Sequence, residues 1–167
     1  MLTQKQEKGF TLVELLVVVA IIAVLAGVLL LAINPTALLA KGRDAKRLED
    51  LDALSKAITL ALADGELTLV ATGVCGTCAS DTGTQAVTGA GYVQFAIPTG
   101  KTGLAKFIPT LPVDPLNTGA NVYTFGSTTA NYELNGVLES VDNTAKMTTD
   151  GGNGAGVYEI GTSLTVL

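Results

Sequence analysis

The sequence predicts an α+β protein: a long N-terminal α-helix whose second half packs on a C-terminal antiparallel β-sheet. Three observations lead there. Of the 24 residues from 10 to 33, 21 are apolar, interrupted only by Thr11, Glu14 and Gly27. The stretch that follows, to Ala63, spaces its leucines at helical intervals opposite a charged face. From Tyr92 onward, short runs with strand character alternate with turn residues. At 167 residues one compact domain is the prior. The positive mean hydropathy of +0.46 nevertheless describes a single segment, because the remainder has the apolar share of an ordinary soluble domain.

The first element is the apolar helix. Residues 15–33 contain no charge, and nineteen residues at about 1.5 Å rise are long enough to cross about 30 Å of hydrocarbon. A short cationic stretch with Lys5 and Lys8 precedes it. A secretory signal peptide would have a shorter apolar run and a small-residue cleavage site at its end, whereas this run continues past Pro35 into another helical pattern. A plain signal anchor fits the hydrophobicity but leaves Glu14 unexplained, since a carboxylate in the apolar part of a membrane helix costs up to about 3 kcal/mol. Gly27 and the Asn34-Pro35 pair are where the helix is expected to loosen or kink, proline lacking the amide donor and clashing with the previous turn.

From Ala37 to Ala63 the pattern is amphipathic. Leu48, Leu51, Leu54, Ile58 and Leu62 form the stripe expected to bury against a head, and Lys46, Arg47, Glu49, Asp50, Asp52 and Lys56 form a face expected to be solvated. Asp64-Gly65 ends the helix. Residues 64–103 read as a long turn-rich loop with one strand at 92–96, followed by a helical turn at 104–108. Strands are then expected at 121–125, at 131–135 with an extension to Glu139, at 156–160 and at 163–167.

Gly9-Phe10-Thr11-Leu12-Val13-Glu14, after a cationic leader and before a long apolar helix, resembles the start of type IV pilins and the related pseudopilins. The resemblance implies that a prepilin peptidase cuts after Gly9 and methylates the new terminus at Phe10, and that Glu14 supports assembly. It also implies that the stretch around Gly27 and Pro35 unwinds as subunits pack, and that the fold is pilin-like. Cleavage would place an ammonium at Phe10 within an apolar helix. A Glu14 carboxylate facing a neighbouring subunit's amine would then set axial register, opposite charges attracting strongly in low dielectric. Snorkelling of Glu14 to lipid headgroups is the plainer alternative. A second, looser resemblance to major pilins and pseudopilins runs through Leu111-Pro-Val-Asp-Pro-Leu-Asn117, Tyr123-Thr-Phe125, Tyr132-Glu-Leu134 and Leu138-Glu139, where Asp114-Pro115 reads as a turn and the aromatic residues as core. The organisation expected is a leader at 1–9, a transmembrane and assembly helix at 10–35, an amphipathic helix at 36–63 and a globular head at 64–167.

Orientation from charge opposes this reading. Lys41, Arg43, Lys46 and Arg47 outnumber the leader's lysines, and the positive-inside rule taken alone would retain the head. The cleavage motif outweighs that count. The head is then exported from a single-pass precursor in the cytoplasmic membrane and ends in a surface filament.

The chemistry available is narrow. With no histidine, neither histidine catalysis nor a histidine-bearing zinc site exists, and no nucleophile–base pair assembles. Cys75-Gly-Thr-Cys78 lacks the strand–helix setting of a redox CxxC and supplies only two zinc ligands. For an exported head, a local disulfide stapling the loop is the preferred reading. It would differ from the longer disulfide-bounded loop of many type IV pilins. Major pseudopilins often hold calcium in a C-terminal loop, and Asp142-Asn143 and Asp150-Gly-Gly-Asn153 offer oxygens, but their spacing favours solvated turns and no cofactor is expected. From Asp64 onward nine acids face three lysines, which disfavours a nucleic-acid site on the head. The function expected is that of a non-enzymatic subunit forming a helical homopolymer, a type IV pilus, with a prepilin peptidase and an assembly machinery as partners. The alternatives are the major pseudopilin of a type II secretion system, and a bitopic membrane-anchored binding or thiol protein that never polymerises.

Overall fold

The computed structural model describes residues 9–73 and 75–167, so the leader ahead of Gly9, with Lys5 and Lys8, lies outside the described residues. The chain divides into two units, one ending at Leu38 and one running from Leu39 to Leu167. The α+β class holds: a long apolar helix, a second helix and small antiparallel sheets.

In the first unit, α1 spans Leu12–Ile33. Among the described residues its large apolar side chains have no internal face to bury against, and their exposure runs from 46% at Ile33 to 78% at Leu12. Leu12–Leu30 is long and apolar enough to cross a membrane. Gly27 lies inside the unbroken helix, and the interruption falls at Asn34. Asn34 adopts φ 46°, ψ 76°, a left-handed cap that an asparagine tolerates better than most residues. Its Oδ1 accepts from Thr36 Oγ1 (2.7 Å), and α2, Pro35–Ala63, begins with proline at its first position, where the missing amide would have no intrahelical acceptor.

In the second unit α2 supplies one wall of the core. Leu51, Leu54, Ile58 and Ala61 pack with Tyr92, Phe95, Leu104 and Leu111 and with Tyr123, Phe125, Tyr132 and Leu134 of the sheet region. Gly65, at φ 61°, turns the chain out of the helix, with Glu66 N–H donating to Ala61 O (2.8 Å). Two short strands, β1 (Thr68–Leu69) and β2 (Phe95–Ala96), pair antiparallel, and a 3₁₀ turn occupies Gly103–Lys106. The main sheet has order β3 (Thr124–Ser127), β4 (Tyr132–Gly136), β5 (Tyr158–Gly161), all antiparallel. Between β4 and β5 lie a 3₁₀ turn at Val141–Asn143 and a single-turn helix α3, Lys146–Thr149. Strand alternation puts Tyr132 and Leu134 on the core side and Glu133 and Asn135 on the other.

Several expectations are corrected. Segment 163–167 is not a strand, because the Glu133 side chain, rather than a neighbouring backbone, takes the Val166 and Leu167 amides. β4 stops at Gly136, short of Glu139, because the Asp44 carboxylate binds the Glu139 and Ser140 amides. Only the last two residues of 92–96 are extended, and their partner, β1, lies in what reads as loop. The charged face of α2 is also not all solvated. Arg47 is fully buried and Asp50 nearly so, together with Asp44 one turn earlier.

Candidate functional site

The sequence motif at the start of α1 is built as a capping box. Thr11 is the N-cap, in extended conformation, and its Oγ1 accepts from Glu14 N–H (3.2 Å). The Glu14 carboxylate reaches back to accept from Thr11 N–H (2.8 Å) and from Thr11 Oγ1 (2.7 Å). Helical conformation therefore starts at Leu12, and Gly9 and Phe10 lie outside the helix. Glu14 sits among exposed apolar side chains, with no partner beyond Thr11 among the described residues.

The head is fastened to α2 by a buried ionic network. Arg47 donates to Asp114 through Nε (2.5 Å) and Nη2 (2.9 Å) and to Asp44 through Nη1 (3.0 Å), and it pairs with Glu139. Arg43 grips Glu139 with two bonds, 3.0 and 2.6 Å. Asp114 also accepts from Leu116 N–H (2.8 Å), and Asp44 from Glu139 N–H, Ser140 N–H (2.8 Å each) and Asn143 Nδ2 (3.0 Å). Burial pushes the Asp44 and Asp114 carboxyls up, but these donors outweigh it and hold both below the usual carboxylate value. Glu139 is lowered too, chiefly by the Arg43 guanidinium. Burial would depress the Arg47 pKa, but its carboxylate partners raise it.

This arrangement also bears on the orientation problem. Each of the four cations after the apolar helix has a carboxylate partner: Lys41 on Asp142, Arg43 on Glu139, Lys46 on Asp50 (2.8 Å) and Arg47 on Asp114. The folded head supplies three of those four carboxylates. Asp114, which reads in the sequence as a turn former, is the central acid of the network. Its only sequence signal is an acid in the Leu111–Asn117 stretch of resemblance.

Cys75 and Cys78 form a disulfide, with Cα atoms 5.3 Å apart. The loop it closes lies along the outer edge of β3, where Phe125 N–H donates to Cys78 O (2.9 Å) and Ala79 bridges Thr124. Asp142 is engaged by Lys41, Asn143 by Asp44, and Asn153 donates to Leu167 O (3.4 Å). Among the described residues, no three Asp, Glu or Cys side chains converge as a metal-binding group.

Residues 4–30 match the family model described as the prokaryotic N-terminal methylation motif. No curated protein and no solved structure matches the chain. A class III prepilin leader, an apolar N-terminal helix and an α+β head are together consistent with the type IV pilin-like family. The motif supports a protein of the type IV pilin or pseudopilin type, a structural subunit anchored in the membrane as a precursor, processed by a prepilin peptidase and assembled into pilus-type filaments.

Proposed function

We propose that this chain is the structural subunit of an extracellular type IV pilus. In this reading residues 1–9 are removed after Gly9, Phe10 becomes the methylated terminus, and 10–35 leave the membrane to form the filament core. Residues 36–63 carry the head, 64–167. The observation that carries the proposal is Glu14, held at the start of a helix whose large apolar side chains, among the described residues, are otherwise exposed. A lone carboxylate there is costly in lipid and is offset by a Phe10 ammonium in a filament. Gly27 and Pro35 supply the slack for packing.

Mass spectrometry of the mature chain and electron microscopy of surface filaments test the reading. A mature protein beginning at N-methylated Phe10, present in filaments and lost from them in Glu14→Val, is expected. Retention of Met1–Gly9 would instead favour the non-polymerising bitopic protein, and normal filaments of Glu14→Val would remove the assigned role of Glu14. One observation favours the major pseudopilin as a second reading: the disulfide closes only four residues rather than a long surface loop. Loss of protein secretion without loss of long surface filaments would select it.

A further inference from the structure

The outer face of the main sheet holds a cluster that the ionic network and the assembly motif do not use. Glu133 on β4 is fully buried, and Glu159 on β5 is 3% exposed. Asn135 faces Glu159 directly across the β4–β5 pair, and Glu133 lies diagonal to it on the same face. Glu133 Oε1, Asn135 Oδ1 and Glu159 Oε1 are all buried without a hydrogen-bond partner. None of these three buried acceptors, the oxygen of the Asn135 amide group included, receives a hydrogen bond, and each unpaired group costs free energy.

The other carboxylate oxygens are engaged with backbone. Glu133 Oε2 accepts from Val166 N–H (2.6 Å) and Leu167 N–H (3.1 Å), which holds the 163–167 segment against the sheet. Glu159 Oε2 accepts from Gly154 N–H (3.1 Å), and a Cβ at Gly152 would collide with that same carboxylate. The two acids thus anchor two different chain segments. The surrounding charges offer no relief. Asp150, the nearest further titratable group, accepts from Glu159 N–H (2.9 Å) and adds another negative charge. Segment 163–167 carries no titratable side chain, β3 carries none either, and Tyr158 packs on the core side. Lys146, the one charged side chain of α3, is exposed.

We propose that Glu133 and Glu159 share a single proton, forming a carboxyl–carboxylate clasp that fastens the 163–167 segment and the 150–154 loop to the sheet and opens when the proton is lost. The proton sits on Glu159 and is donated to Glu133, so one hydrogen bond pairs both orphan carboxyl oxygens. Glu133 Oε2 meanwhile keeps its two amide donors. When the proton leaves to solvent, two buried carboxylates face each other and the segments they hold are pushed apart. Burial, then the Glu133 carboxylate, move the Glu159 carboxyl up from the ordinary glutamate value, in agreement with this geometry. Because its folded value is raised, the clasp contributes stability that is complete below the unfolded value and is lost as pH rises through the folded one. The inference is independent of which filament the chain builds.

The test is a pH titration of the full chain in detergent micelles, following the amide resonances of Gly154, Val166 and Leu167. All three are expected to shift together in one step centred above about 4.3, the ordinary glutamate value. In Glu159→Gln, whose side-chain amide stands for the protonated acid, that step disappears and the Val166 and Leu167 amides stay at their low-pH positions. In Glu133→Gln the step moves down, because the like charge is gone. A wild-type chain with no such step, or a step that survives Glu159→Gln, overturns the proposal. So does a wild-type step that millimolar calcium chloride abolishes, since the pair then holds a cation rather than a proton; this arm needs no variant.

Discussion

Arg47 and Asp114, 67 residues apart in sequence, are both buried and are joined by two hydrogen bonds of 2.5 and 2.9 Å. The pair closes the 111–117 turn onto the N-terminal half of the buried face of α2. There Asp44, Arg47 and Asp50 occupy positions that Leu51, Leu54 and Ile58 occupy further along. Buried charges of this kind are costly to strand, because the remaining partner keeps its desolvation penalty without compensation.

Replacing Arg47 therefore destabilises the head strongly. Arg47→Met leaves Asp44 and Asp114 buried without their shared cation, and a loss of about 3–5 kcal/mol is expected. Denaturant unfolding of the variant against wild type measures it. A loss below about 1 kcal/mol would show that the network does not hold the head together.

Acid weakens the same contacts. Asp44, Asp114 and Glu139 have lowered folded values, so their contribution is present above the unfolded values of about 3.9 and 4.3 and is lost as pH falls through the folded ones. Unfolding free energy should fall from about pH 4 downward. The fall should be shallower in Arg47→Met, where two of these acids have lost their arginine.

The cysteine staple acts locally. A ring this short limits the unfolded chain little, and the Cys75→Ser, Cys78→Ser double variant should lose no more than about 2 kcal/mol. Its effect should concentrate in faster amide exchange at Phe125, whose N–H donates to Cys78 O. Unchanged protection at Phe125 would mean that the disulfide does not hold the loop to the edge of β3.

Tyr132 joins the sheet to α2 through its hydroxyl, which lies 2.9 Å from Ser55 O, 2.9 Å from Thr59 Oγ1 and 3.0 Å from Ser55 Oγ. Tyr132→Phe keeps the ring and removes these bonds, so a loss of about 1 kcal/mol is expected in thermal or denaturant unfolding.

What could be read in advance follows the range of the interactions. The apolar run and the Asn34-Pro35 break involve residues within a few positions of each other, and local pattern specifies them. The leucine stripe of α2 was legible for the same reason. The polar half of that face was not. A buried Arg47 and an exposed one have the same helical spacing, and only the arrival of Asp114 and Glu139 from distant loops makes burial affordable. The short strand β1 was invisible for a similar reason, its partner β2 lying more than 20 residues away.

The sequence by itself determined the class: an apolar helix with one acid at a set distance from a G-F junction, ahead of an α+β head with no histidine chemistry. These are properties of composition and short spacing, and they hold whatever the head does. The tertiary structure decided how the head is held: which four carboxylates meet the cations after the apolar helix, and which two acids share the outer face of the β4–β5 pair. Charge pairing in a low-dielectric interior depends on distances of a few ångströms between chain segments far apart in sequence, and no local pattern encodes them.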